Sequence, residues 1–316
     1  MELKTFKTLE EQVQILRSKN MVINDEHYAK EVLLRENYFF LHGYRYPFLK
    51  SKDDRFYING TTFEELYSLF LFDRTVRNLI FKNVLIIENN VKSIFSYQLS
   101  KKYGYKEKDY LNPRNFNTSK EKRKQVNDLL GKMKRQMQKN ITTHSATMHY
   151  VDNYGYVPLW ILVKVLSFGI VAELFSILKK EDQYDIVDIY ELDIDVFFNY
   201  LTILSNYRNL CAHEDIVYDN RTNREIADTR YHRALKIPMM DNEYIYGKND
   251  LFVLLIIFKS LLKQEELKEF ILELSHIIDN LEYNLKTISI NKILDRMGFP
   301  KNWKDIVDIS KNDLFN

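Results

Sequence analysis

At 316 residues, 45% hydrophobic and 28% charged, with only five Pro and eight Gly, the chain can bury a sizeable core and favours long helices over a turn-rich β architecture. We therefore expect an all-α helical bundle; the single cysteine, Cys211, and the absence of Cys/His clusters at zinc spacing argue against a disulfide scaffold, a metal site or a cofactor and for the cytoplasm. The net charge of +2 hides a strongly basic stretch, because residues 101–140 hold thirteen Lys/Arg against four Asp/Glu.

In chain order, Met1-Glu2-Leu3-Lys4 opens without the apolar core of a signal peptide. Thr8-Leu9-Glu10-Glu11 has the form of a capping box and starts a first helix, with Val13 and Leu16 as its apolar stripe. A second helix is expected from about Asp25 to Phe40. It ends near His42-Gly43-Tyr44-Arg45-Tyr46-Pro47, where Gly43 relieves the last turn and Pro47 forbids continuation. After a loop over Lys50 to Gly60, Thr62-Phe63-Glu64-Glu65 repeats the capping signature and opens a long helix with Leu66, Leu69, Val76, Ile80, Val84, Ile87 and Val91 at helical spacing. Arg77 and Glu88, eleven residues apart, share a face of this helix; they either fix its register as buried charges or line a cleft.

The basic stretch follows. Lys120, Lys122, Arg123 and Lys124, then Lys132, Lys134 and Arg135, are candidate RNA-binding residues, and Tyr103, Tyr105 and Tyr110 offer rings for stacking; the plainer reading is a solvated helix face. His144 and His149 lack the acidic or cysteine companions of a metal site. Pro158 suits the first turn of an apolar helix over Ile161 to Leu178, in which Gly169 permits close packing. A further helix spans roughly Asp195 to Cys211, with Phe197, Tyr200, Leu201 and Leu204 as its stripe. The polar stretch from Glu214 to Gly247 reads as an extended linker. An apolar helix from about Asn249 contains the longest apolar run, Leu251 to Phe258, too short for a bilayer, and two closing helices precede an aromatic turn at Gly298 to Trp303.

The end of the Asp195–Cys211 helix carries Arg208-Asn209-Leu210-Cys211-Ala212-His213. A guanidinium is a permanently charged fork that fits phosphate oxygens, and an imidazole exchanges protons near neutral pH, so the pair suits RNA chemistry without a metal. Five positions correspond to about 140° of helix rotation, so the two side chains do not lie on one ridge. No phosphate-binding loop, dinucleotide fingerprint or nucleophile elbow competes with this motif.

The order of several blocks resembles the bacterial Abi-like abortive-infection proteins of the AbiD/AbiF type. The blocks are Leu33 to Phe39 with Gly43 to Phe48, Leu71 to Arg77 leading to Ile86-Ile87-Glu88, Val157 to Trp160 with Leu166 to Gly169, and Tyr207 to His213. Tyr246 to Phe252 and Met297 to Trp303 complete the series. The resemblance implies a HEPN-like helical ribonuclease in which two R-x4-6-H motifs meet in a homodimer. Arg208 and His213 inherit the catalytic roles, and Asn209 is the polar residue after the arginine. His149, with Tyr150, falls in a similar block and is a candidate for the cleft beside Arg77 and Glu88. Lys164 and Ile216 depart from the pattern, standing where a Glu and a basic residue are expected.

The chain then divides into an N-terminal helical region over 1–60, a HEPN-like core over 61–235 with a basic insertion at about 101–140, and a C-terminal helical region over 236–316. The expected activity is metal-independent cleavage of RNA through attack of a 2′-hydroxyl. The competing class is a non-catalytic module that binds a structured small RNA or a partner protein; a third reading makes Arg208 and His213 interhelical contacts. The expected partners are RNA, as substrate and as a regulatory small RNA, a second copy of the chain and an antitoxin, with no membrane.

Overall fold

Both Thr-x-x-Glu sequences cap helices as their chemistry requires. The Thr8 and Thr62 hydroxyls accept from the amides of Glu11 and Glu65, whose carboxylates accept from the Thr amides in return. The computed structural model describes residues 5–51 and 54–310, so the opening Met1–Lys4 and residues 52 and 53 of the expected loop lie outside the described residues. Within them, α1 (Leu9–Ser18), α2 (Glu26–Glu36) and α3 (Tyr38–His42) precede α4 (Phe63–Tyr103), whose 41 residues extend about 60 Å at 1.5 Å per residue. The short α5 (Glu107–Tyr110), α6 (Arg123–Asn140), α7 (Ser145–Tyr154), α8 (Leu159–Val165), α9 (Phe168–Ile177) and α10 (Lys180–Val187) lead to α11 (Ile194–Ala212). Then come α12 (Arg230–Ala234), the hairpin β1 (Met239–Met240) and β2 (Glu243–Tyr244), α13 (Phe252–Leu261), α14 (Gln264–Asn284) and α15 (Ile290–Met297). The architecture is all-α, with only that two-stranded antiparallel sheet among the described residues, Met239 pairing with Tyr244.

α4 is the spine. α8, α10, α11 and α14 all pack along it, which is why its buried positions, from Phe63 to Leu99, surround the helix instead of forming one stripe. α13 is buried at every position from Phe252 to Leu261. Among the described residues, one apolar cluster runs from Val13 to Ile306. Among the described residues, no helix is long and apolar enough to cross a membrane.

Four local expectations change. The helix expected over Asp25–Phe40 breaks at Asn37, which adopts φ +67° and caps α3 by accepting from the Phe39 amide. Gly43 does not relieve a left-handed turn, since its φ is −61°. Its missing side chain instead makes room for Ile216, whose Cδ1 would lie 2.8 Å from an added Cβ. The apolar run at 161–178 is two helices because Ser167 leaves helical geometry and caps α9, accepting from the Ile170 amide; Gly169 within it closely approaches Ser205 of α11, as its size allows. The expected linker over 214–247 contains α12 and the β1–β2 hairpin, short elements whose periodicity is too brief to read.

Candidate functional site

On the last turns of α11, Leu204, Tyr207 and Cys211 face inward, Arg208 is half-buried, and Asn209 and His213 are exposed. Burial pushes the Cys211 thiol up to about 12, so this cysteine is a packing residue. His213 ends the helix, its backbone N–H donating to the Asn209 carbonyl at 3.0 Å, and Glu214 turns the chain away at φ +58°. As the five-residue spacing requires, the two motif side chains diverge. Arg208 turns towards α4, its guanidinium carbon 5.7 Å from the Phe81 ring centroid and its Nε 3.7 Å from Oε2 of buried Glu88. Glu88 Oε1 accepts from Lys92 Nζ at 2.6 Å, whereas Glu88 Oε2 and Arg208 Nε have no hydrogen-bond partner among the described residues. The guanidinium is thus held by charge and ring contact and is not clamped.

His213 opens onto a cavity of about 980 Å³, whose walls include Phe39, Phe40, Arg45, Tyr46, Arg74 and Arg77. Arg208 is absent from those walls, so the cavity brings His213 together with Arg77 but not with its motif partner. Arg77 is itself engaged. Its Nη1 donates to Asp73 Oδ2 and to the Asp215 carbonyl, both at 3.0 Å. Asp73, fully buried, also accepts from the Tyr44 hydroxyl at 2.7 Å, from the Tyr218 amide at 2.7 Å and from the Val217 amide. Burial pushes its carboxyl up to about 6, against the opposing pull of the Tyr44 hydroxyl, Arg77 and the two amides. The Asp73–Arg77–Tyr44 node therefore fixes the Asp215–Tyr218 segment directly behind His213. Arg77 and Phe81 are one turn apart on α4, so consecutive turns of the spine position the His213 segment and Arg208.

The remaining candidates lie elsewhere. Glu88 is the anion facing Arg208, and His149 sits on α7 against the rings of Tyr150 and Tyr154 at 5.7 and 5.9 Å, outside the cavity. On and before α6, Lys120, Arg123, Lys124, Lys134 and Arg135 are exposed and Lys122 is half-buried beside Gln125. Lys132 is paired with Glu173 at 2.9 Å. Of the three tyrosines offered for stacking, Tyr110 is buried and donates to the Val157 carbonyl, Tyr103 donates to Asp182, and Tyr105 joins the rings of Tyr156, between α7 and α8, and Trp160 on α8. The departing Lys164 donates to Asn89 at 2.9 Å, and Ile216 packs on Gly43. Among the described residues, no group of three or more His, Cys, Asp or Glu side chains is gathered as a metal site. Asp73 and Tyr44 are the supporting residues that residue-by-residue reading missed. The signal was an Asp four residues before an Arg on a mostly apolar helix.

Residues 31–219, more than half of the chain, match the family described as Abi-like protein. The chain belongs to the Abi-like family. Abortive infection is the function that this membership implies. No curated protein and no solved structure matches the chain. The Abi-like match encloses Tyr44, Asp73, Arg77, Glu88, Arg208 and His213, and it ends one residue beyond Tyr218, the last amide held by Asp73. The two C-terminal blocks fall beyond the matched residues of this Abi-like chain, yet they meet. Asp250 accepts from the Gly247 amide, and its carboxyl lies over Gly298, where an added Cβ would come within 2.1 Å of it.

Proposed function

We propose that this Abi-like protein acts in phage defence as a HEPN-type endoribonuclease of the AbiD/AbiF kind that needs no metal. The observation that carries the reading is the exposed His213 at the end of α11, at the mouth of a cavity and backed by the Asp73 node, with a half-exposed, unclamped Arg208 five residues earlier. In the reaction, a base removes the proton of a ribose 2′-hydroxyl as its oxygen attacks the adjacent phosphorus. The bond to the 5′-oxygen breaks, an acid protonates that oxygen, and the products are a 2′,3′-cyclic phosphate and a 5′-hydroxyl. His213 serves as base or acid, Arg208 stabilises the charge on the phosphorane, and exposed Asn209 offers an amide to the same phosphate. DNA lacks the attacking hydroxyl and survives.

One histidine performs one of the two proton transfers. His213 of a second copy across a twofold axis supplies the other, so the active form is a homodimer. Phe39 and Phe40, 72% and 60% exposed, line the His213 cavity and give such a contact an apolar surface. The exposed cations of α6 suit RNA, as substrate or as a small regulatory RNA that restrains the enzyme, and an antitoxin protein is the other candidate restraint. A cytoplasmic site of action follows from such a substrate.

The second reading, an RNA-binding module without catalysis, is favoured by one observation: Arg208 faces Glu88 and Phe81, away from the His213 cavity. Incubation of purified protein with RNA in EDTA separates the two. Catalysis predicts cyclic-phosphate ends that disappear in His213→Ala and Arg208→Ala, with helicity and mass in solution unchanged. Binding without cleavage by wild-type protein, or cleavage that survives His213→Ala, overturns the enzyme.

A further inference from the structure

The structure assigns a second nucleic-acid contact, well outside the His213 cavity: a cluster of five aromatic rings at the junction of α4, α7 and α8 that we infer stacks on unpaired RNA bases. The inference rests on the RNA reading above and extends it to how the strand is held. Gly155, at φ +74°, ends α7, and Pro158 caps α8, so the chain turns sharply and brings Tyr150, Tyr154, Tyr156 and Trp160 together. Tyr105, from the segment after α4, completes the group, with its ring 5.6 Å from Tyr156 and 5.9 Å from Trp160. Tyr150 lies 5.4 Å from Tyr154 and 6.5 Å from Trp160, whose indole N–H points to the Tyr150 hydroxyl at 3.4 Å.

Such a cluster is ordinarily a small core, but this one is not covered. Tyr105, Tyr154 and Trp160 are 42%, 58% and 40% exposed, and Tyr156 is half-exposed. The charge around the rings identifies the occupant. Lys106 Nζ stands 5.0 Å from the Tyr156 centroid, and α7 packs on α6, whose Arg123, Lys124, Lys134 and Arg135 are exposed. Exposed ring faces with the Lys106 cation against them, next to a basic helix, supply both parts of a single-strand site, the rings taking bases and the cations taking phosphates. The platform also continues towards the candidate catalytic residues. Lys164, one turn after Trp160 on the same face of α8, holds Asn89, whose neighbour Glu88 is the anion facing Arg208. A strand lying along this edge runs from ring stack to Arg208. Duplex RNA, its bases already stacked on one another, gains nothing from the rings.

The test uses the chain's two tryptophans, Trp160, which is 40% exposed, and Trp303, which is 3% exposed. Full-length His213→Ala protein, which leaves RNA intact, is titrated with a twelve-nucleotide polyadenylate strand, with the same strand in duplex, and with vesicles of anionic phospholipid, while tryptophan emission is followed. The expected result is saturable quenching by the single strand, much weaker quenching by the duplex, and loss of the signal in Trp160→Leu. The Tyr154→Ala/Trp160→Leu variant should bind the strand about tenfold or more weakly by fluorescence anisotropy of a labelled strand. Tyr154→Phe, which keeps the ring, should retain binding in the otherwise intact platform. Equal binding of strand and duplex, an unaltered affinity in the double variant, or quenching by vesicles and not by RNA overturns the platform. Failure of wild-type protein to cut RNA while quenching persists removes only the catalytic reading. Cleavage with no quenching removes only the platform.

Discussion

Asp73 and Asp250 are both buried carboxylates that gather backbone amides, but only Asp73 has a guanidinium in hydrogen-bonding contact. Asp73 accepts from Arg77, Tyr44 and two amides 144 and 145 residues away in sequence, so it ties the spine helix to the segment behind His213. Asp250 accepts from nearby amides, among them those of Gly247 and Phe252, and closes a turn against Gly298. Burial dominates at both positions. It raises both carboxyls, Asp73 to about 6 against the Tyr44 hydroxyl, Arg77 and two amides, and Asp250 to about 7 against the Gly247 amide, the charge of Arg221 and the Phe252 and Val253 amides. A buried charge with a full set of partners becomes a fixed structural joint. Asp250, with no guanidinium in hydrogen-bonding contact among the described residues, is tied only to its own turn.

The largest test of this difference is Asp73→Ala. It leaves Arg77 buried without its counterion and frees the Val217 and Tyr218 amides, and should cost about 3–5 kcal/mol of unfolding free energy in urea at neutral pH. A loss below about 1 kcal/mol would show that the node is not a joint. Tyr44→Phe keeps the ring stacked 5.9 Å from Tyr218 but removes one hydrogen bond to a charged group, with an expected loss of about 1.5–3 kcal/mol. Gly43→Ala intrudes on Ile216 without touching a charge and should cost about 1 kcal/mol. Ile216→Val deletes the Cδ1 atom in the way, so the Gly43→Ala/Ile216→Val pair should recover most of that loss; simple additivity would place the strain elsewhere.

Much of this architecture is legible in the residues. The two capping boxes, the long apolar helix after Thr62 and the helix ending at Cys211 follow from local chemistry and periodicity, which act over a few turns. Asn37, Ser167 and the short elements between Glu214 and Gly247 escape because one residue's backbone angle or a two-residue pairing leaves no periodic trace. The candidate site divides in the same way. The motif Arg208 to His213 and its divergent side chains are visible in the spacing, and the engagement of Arg77 and Glu88 by buried partners is visible in their placement on an apolar helix. The role of Asp73 is not, because its partners near residue 217 become neighbours only when α4 and α11 pack. The same holds for the rings of Tyr105 and Trp160, far apart in sequence and adjacent only where the segment after α4 meets α8.

The contrast at Asp250 appears as a pH dependence. Its folded carboxyl titrates at about 7, well above the ordinary 3.8, so the neutral form is the one that the fold prefers. The stability tied to that proton is fully present below about pH 4 and is lost as pH rises through about 7. The Asp250→Asn side chain is neutral throughout, and its amide oxygen can still accept from the Gly247 and Phe252 amides as Asp250 Oδ1 does. Thermal unfolding of wild type and Asp250→Asn, followed from below about pH 4 to about pH 8, should therefore give curves that lie closest at the acid end. They should draw apart as pH rises from about 4 to about 7 and stay apart above that, with the variant the more stable. Asp73 is common to both proteins and cancels from the difference. Parallel curves across that range would mean that Asp250 does not change its charge there, and that burial in the turn against Gly298 does not favour its neutral form.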